Sequence, residues 1–221
     1  MKQLKAVLLM PDPYRHKTCT LAATAGIQLN AAVASDLVDL EQAFSIRQDL
    51  LLAFGTGVIV PASILKTPNL LAVNVHAASP LYPGRDPHHF AVYDGVKEYG
   101  ATMHYMTPSV DAGPIIDVEL FAVPDGVTPA SLLSLATEAG LSLITRFFQT
   151  LAEDRVPTLD RSQSWGSRKT TRKMFRELCR IDPDMPLQEF ERRFRAAAMP
   201  GYGNLYIDLH GHRFHIEASP T

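Results

Sequence analysis

Short apolar runs alternate with polar or amphipathic stretches along the chain, and this rhythm predicts most of its elements. Leu4–Met10 is apolar, short and closed by Pro11 and Pro13, which reads as a buried strand. A helix is expected from about Thr18 to Ala25. Further strands are expected over Leu29–Ala34, over Leu50–Phe54 where Gly55-Thr56-Gly57 closes the run, and over Leu70–His76. Near-continuous apolar runs suit strands covered on both faces, as in a parallel sheet. Their separation by helical stretches points to βαβ units and an α/β fold.

From Ala101 the rhythm changes. Ala101–Met106 and Ile115–Val123 are strand-like runs joined by PSVDAGP, a segment rich in turn formers. The clearest helix follows, from Ser131 to Glu153, with Leu133, Ala136, Gly140, Leu143, Phe147 and Leu151 at three- and four-residue steps. Residues 155–185 are polar and basic, with SRKTTRK at 167–173, and read as a linker or irregular segment. Pro186–Met199 predicts a second amphipathic helix, with Leu187, Phe190, Phe194 and Ala197 on one face. It stops at Pro200-Gly201, and Asn204–Leu209 and Arg213–Ile216 flank His210-Gly211-His212 as a β-hairpin. The expected organisation is one α/β domain over residues 1–155 and an appendage of linker, helix and hairpin over 156–221.

Composition narrows the function class. An apolar fraction of 46% and a charged fraction of 20% are those of a globular protein, and a net charge of −2 gives no global field for nucleic acid or anionic membrane. The apolar part of the N-terminus, Ala6–Met10, is too short for a signal peptide, and no run approaches the ~20 residues of a membrane span. Cys19 and Cys179 form no metal-binding motif and fit a reducing compartment, so the cytoplasm is the expected location. Adjacent His88 and His89 lack metal-ligand spacing, and no metal is expected.

The informative stretch is residues 70–116. Asn74 and His76 end a buried strand two residues apart, so both side chains point to one face, at the end where open α/β sheets place their ligands. An amide can donate to an oxyanion and an imidazole can move a proton. Asp111, in the loop after the next strand, is a candidate third group. From spacing alone, the commoner arrangement is a strand-end Asn and His that satisfy loop backbone, with Asp111 as a turn residue.

Four motifs in order alter that balance: Asn74-Val75-His76, Tyr82-Pro83-Gly84-Arg85, Gly100-Ala101-Thr102-Met103-His104 and Asp111-Ala112-Gly113-Pro114-Ile115-Ile116. Together they resemble the folate-dependent formyltransferases, which include glycinamide ribonucleotide, methionyl-tRNA and sugar N-formyltransferases. The resemblance covers roughly residues 1–150. It implies a Rossmann-like domain with a mostly parallel central sheet and Asn74, His76 and Asp111 as the catalytic trio. It implies 10-formyltetrahydrofolate as cofactor, held by Gly57, Val58 and Ile59 on one side and by Thr107 and Val110 in the facing loop. Asn74 and protonated His76 would then stabilise the oxyanion, and Asp111, through a water, would help take the amine proton. Tyr82, Arg85, His104 and Trp165 are the implied substrate-side residues.

Two departures from the family pattern stand out: Ala77-Ala78-Ser79 follows the Asn-x-His where Pro-Ser is common, and Met10-Pro11-Asp12-Pro13 replaces a Gly-rich first turn. The tail PGYGNLYIDLHGHRFHI resembles the segment that completes sugar N-formyltransferases, which points to a small-molecule amine partner, an amino sugar carried on a nucleotide. The basic cluster Arg168, Lys169, Arg172 and Lys173 suits either a phosphorylated substrate or a solvated loop, and the sole tryptophan, Trp165, suits either stacking on a base or packing the appendage on the core. Glycinamide ribonucleotide, hydroxyornithine or peptide amines stay open as acceptors. A non-catalytic folate- or nucleotide-binding relative and a metal hydrolase using His76, His88, His104 and Asp111 stay open as other classes. The final hairpin is a possible homodimer edge.

Overall fold

The computed structural model describes residues 2–199 and 201–216. Its elements run β1 (Lys2–Leu9), α1 (Asp12–Thr24), β2 (Ile27–Ala34), α2 (Leu37–Ala43), β3 (Leu50–Phe54), α3 (Ala62–Leu65), β4 (Leu71–His76), α4 (Pro87–Asp94), β5 (Glu98–Tyr105), β6 (Ile115–Ala122) and α5 (Pro129–Ala152). After these come α6 (Arg172–Cys179), α7 (Leu187–Ala197), β7 (Leu205–Leu209) and β8 (His212–Ile216).

Six strands form one sheet in the order β2-β1-β3-β4-β5-β6, and β7-β8 form a separate hairpin. The pairs β1–β2, β1–β3 and β3–β4 are parallel, while β4–β5 and β5–β6 are antiparallel. The α/β architecture and mostly parallel sheet match the sequence reading. All five residues of β3 are buried, as a central strand covered on both faces requires.

The register across β4 and β5 is the feature the site is built on. It sets Asn74 opposite His104 and His76 opposite Thr102, so the Asn-x-His and Thr-x-His pairs stand on one face at adjoining positions. Beyond β5 the register with β6 slips between Met103 and His104, a bulge that turns the strand end.

Helix α5 covers this half of the sheet. Thr128 and Ser131 form a capping box with Pro129 in the first turn, a strong local start signal. Ala136, Leu143, Phe147 and Leu151 are buried as the periodicity predicts, whereas Leu133 is 36% exposed and turns toward the cleft described below. At Gly140 the helix touches the sheet: a Cβ there would lie 2.7 Å from Phe54 Cζ and 3.1 Å from Val75 Cγ1.

Several local expectations are corrected. Helix α1 starts six residues earlier than expected, because Pro11 and Pro13 open it instead of blocking it: proline lacks only an N–H that the first turn does not use. Helices α2 and α4 were hidden by their shortness. Within the stretch read as irregular, α6 forms behind the Thr171 cap, whose side chain accepts from Met174 N–H at 3.2 Å. In α7, Phe190, Phe194 and Ala197 pack as expected, but Leu187, in the first turn, is 71% exposed. The hairpin is present over β7 and β8.

The close approach at Gly140 makes a stability prediction. Gly140→Val forces a Cβ and two methyl groups between α5 and the fully buried Phe54, and is expected to destabilise the fold by roughly 1–3 kcal/mol in urea denaturation. A loss under about 0.5 kcal/mol would contradict this packing.

Candidate active site

The ends of β3, β4 and β5 and the loops after them enclose a cleft of about 690 Å³, well within the range of small-ligand sites. Asn74, His76, His104 and Asp111 line one part of it. Gly57, Val58, Ile59, Thr107 and Val110 line another, and Arg85, His88, Lys169 and Arg172 also border it. Tyr82 and Trp165 do not line the cleft: both stand behind the groups that do.

Asp111 is the electrostatic centre. Its side chain is 5% exposed, its Oδ2 accepts the Gly84 N–H at 2.9 Å, and its backbone sits in the left-handed region at φ 44°. Asp tolerates that region better than most residues, and such strain gathers at functional sites. His76 Nδ1 lies 3.6 Å from Oδ2, and His104 Nε2 lies 3.6 Å from Oδ1. At that distance the imidazoles act on the carboxylate through space instead of by hydrogen bonds. Burial alone would raise the Asp111 pKa, but the two imidazoles and the Gly84 N–H together outweigh it and hold the carboxyl at about 2.

The two histidines are fixed in opposite tautomers. His76 Nε2 is 2.9 Å from the Tyr82 carbonyl oxygen. His104 Nδ1 is 2.9 Å from the Tyr105 carbonyl oxygen. A carbonyl only accepts, so the facing nitrogen carries the hydrogen in each case. When both rings are neutral, His76 therefore presents its Nδ1 lone pair to Asp111, and His104 presents its Nε2 lone pair to Asn74. Asn74 Nδ2 lies 3.0 Å from that Nε2 and donates one of its two amide hydrogens to it. Thr102 Oγ1 donates to the Ala78 carbonyl at 2.8 Å, tying the loop after β4 back onto β5.

Behind this layer Trp165 donates its indole N–H to the Gly113 carbonyl at 2.7 Å and stands edge-on to His104, with ring centres 5.0 Å apart. The Tyr82 hydroxyl donates to Asp94 at 2.8 Å, and burial first and Asp94 second raise its pKa beyond the usual phenol range. His88 was read only as a weak metal candidate. It borders the cleft, its Nδ1 is buried without a protein partner, and burial lowers its pKa to about 3, so the ring is neutral at physiological pH. Among the described residues no group of three or more His, Cys, Asp or Glu side chains is disposed to hold a metal ion.

The cleft is also lined by apolar side chains and loop backbone. Its walls carry exposed apolar side chains, Ile59 at 61% and Val110 at 41% exposed, beside the irregular backbone of residues 55–60 and the loop of 107–111. Backbone amides and carbonyls there can meet ring nitrogens and oxygens without a charged motif.

The open α/β sheet brings an amide, an imidazole and a carboxylate together near its strand ends. Residues 14–146 match the formyl transferase family model, and the chain belongs to that family. It is 34% identical over 125 residues to the methionyl-tRNA formyltransferase of Halalkalibacterium halodurans, a stretch covering 56% of this chain and 39% of that protein. The chain thus spans well under two thirds of that relative. Its fold is similar to that of a 4-N formyltransferase from Francisella tularensis, with a TM-score of 0.76, 17% identity and 97% of each chain covered. It is also similar to HypX from Aquifex aeolicus in complex with tetrahydrofolic acid, with a TM-score of 0.68, 17% identity, and coverage of 97% of this chain and 37% of that one.

The Asp111 environment predicts a pH dependence. Its carboxyl titrates at about 2 when folded and near 3.8 when unfolded, so the stability it contributes is complete above about pH 4 and lost as pH falls toward 2. That contribution is about 2 kcal/mol. Denaturant unfolding at stepped pH is expected to show this slope in the wild type and a flatter one in Asp111→Asn; parallel slopes would contradict the assignment.

Proposed function

We propose that the chain moves a formyl group from 10-formyltetrahydrofolate to a substrate amine, the amino group of a nucleotide-linked amino sugar. The observation that carries this reading is the convergence of Asn74, His76 and Asp111 in a cleft of ligand size whose other walls are apolar side chains and irregular backbone. Gly57, Val58, Ile59, Thr107 and Val110 would hold the folate. Bound there, it would supply an activated one-carbon carbonyl to the acceptor nitrogen, and the proton that nitrogen loses would go to the departing folate nitrogen.

The chain's own groups do the rest. Asn74 has one amide hydrogen committed to His104 and a second left for the carbonyl oxygen on which charge develops. Nδ1 of His76 can accept a proton, and a proton held there lies 3.6 Å from Asp111 Oδ2, whose negative charge offsets it. With that proton the ring becomes a second donor for the same oxygen. Asp111 stays ionised throughout, because its carboxyl is held at about 2. Arg85, Lys169 and Arg172 border the cleft and suit an anionic acceptor such as a nucleotide-linked sugar. His104, Tyr82 and Trp165 act from behind these groups. In this division of labour the α/β domain carries the reaction, while residues 157–172 of the appendage brace it and border the acceptor.

The likeness to the Francisella tularensis 4-N formyltransferase over nearly the whole of both chains supports a small amine acceptor. The sequence likeness to a methionyl-tRNA formyltransferase favours a second reading, in which the acceptor is an aminoacylated tRNA.

Tetrahydrofolate release from 10-formyltetrahydrofolate, measured with nucleotide-linked amino sugars, glycinamide ribonucleotide, hydroxyornithine and methionyl-tRNA, tests both readings. Amino-sugar-dependent turnover is expected. Asn74→Ala should lower kcat by roughly 10²–10³, as loss of one oxyanion donor does, and His76→Ala and Asp111→Ala should each lose nearly all turnover. Turnover with methionyl-tRNA alone would select the second reading, and no folate binding by calorimetry would sink both.

A further inference from the structure

The segment 157–171 is not a tether. It starts with the Pro157 carbonyl, which accepts the Tyr105 hydroxyl at 3.0 Å, and with Asp160 N–H, which donates to the Ile115 carbonyl at 2.9 Å. Trp165 then reaches Gly113, and Gly166 N–H donates to the Pro80 carbonyl at 2.9 Å. The Arg168 guanidinium pairs with Asp94 and lies 5.6 Å from the ring centres of both Tyr82 and Phe90. The segment thus crosses the loop 77–86, which follows the Asn-x-His strand and carries the Gly84 N–H, and the loop 106–114, which carries Asp111.

Two neighbouring residues hold the two loops at once. Lys169 Nζ donates to the Val110 carbonyl, one residue before Asp111. Thr170 N–H donates to the Pro83 carbonyl at 2.8 Å, and its own carbonyl accepts Arg85 N–H at 3.1 Å. Its hydroxyl, buried with the rest of the residue, lies 2.6 Å from the Arg85 carbonyl and 3.2 Å from that of Pro83. Gly84 is gripped between these contacts. Its φ is +104°, and a Cβ on it would lie 2.2 Å from the Thr170 carbonyl oxygen, so only glycine lets the strap come this close. The N–H of that same Gly84 is the donor to Asp111.

We infer that residues 165–170 are a positioning strap for the reaction proposed above, with Thr170 as its principal positioning residue: Thr170 aims the Gly84 N–H at Asp111, and Lys169 keeps the Asp111 loop in reach of it. The strap touches none of the reacting atoms. It acts by holding a charged group and two rings to within tenths of an ångström, the tolerance on which rate depends.

The test is Thr170→Val, which keeps the branched shape and both backbone partners and replaces the hydroxyl with a methyl group that cannot bond the two carbonyls, with Thr170→Ser as the conservative rescue. Circular dichroism selects a temperature at which both variants are fully folded. The expected result is a fall in kcat of roughly 10-fold for the valine variant, with acceptor KM changed less than 2-fold and kcat recovered in the serine variant. Hydrogen exchange at the Gly84 amide, read by NMR, is expected to quicken at least 10-fold in Thr170→Val and to stay at the wild-type rate in Thr170→Ser. The exchange reading needs no substrate, so it decides the strap even if no acceptor in the panel turns over. Unchanged Gly84 exchange in folded Thr170→Val overturns the inference, as does an exchange change with kcat intact.

Discussion

A single buried carboxylate sets the terms for the rest of the site. Asp111 is nearly excluded from water, and an ion so placed needs compensation. It receives one backbone N–H from Gly84, and two imidazoles 3.6 Å away add their positive charge whenever they are protonated. The loop after β4 must therefore bring Gly84 to Asp111, and β4 and β5 must bring His76 and His104 to its flanks. Each demand fixes a different part of the backbone.

The sheet meets the second demand through its register. An antiparallel β5 beside β4 sets His104 opposite Asn74, and the period of two leaves His76 and Thr102 as the next pair on the same face. A slip of one residue in β5 would turn Thr102 and His104 away from the face that carries Asn74 and His76. Apolar contact between α5 and the sheet at Phe54 and Val75 locks that register from behind, next to the strand that carries the site. The two histidines differ in which ring nitrogen meets a backbone carbonyl, Nε2 for His76 and Nδ1 for His104, so the nitrogen left free faces the carboxylate in one and Asn74 in the other.

Much of this was legible in the chain. Period-two reading placed Asn74 and His76 on one face, and turn formers placed Asp111 in a loop. The runs that became β1 to β6 were visible because central strands must be apolar on both sides. Three kinds of information were not local. The pairing of Asn74 with His104 needs a strand order that no spacing records. The role of Trp165 and Thr170 needs the fold of a polar stretch, whose anchors are backbone bonds to distant loops and leave no hydrophobic pattern. The first turn of α1 was hidden because Pro11 and Pro13 read as a stop, although proline is equally at home in a first turn. His88 looked like a poor metal ligand in sequence, and only burial reveals it as a neutral ring at the cleft edge.

The central claim is that the backbone holds the two site histidines in opposite tautomers around an ionised Asp111. Long-range ¹H–¹⁵N NMR of the histidine side chains, at a pH where both rings are neutral, measures this directly. The account predicts hydrogen on Nε2 for His76 and on Nδ1 for His104. The same tautomer on both rings, or rapid exchange between tautomers at either, would contradict it.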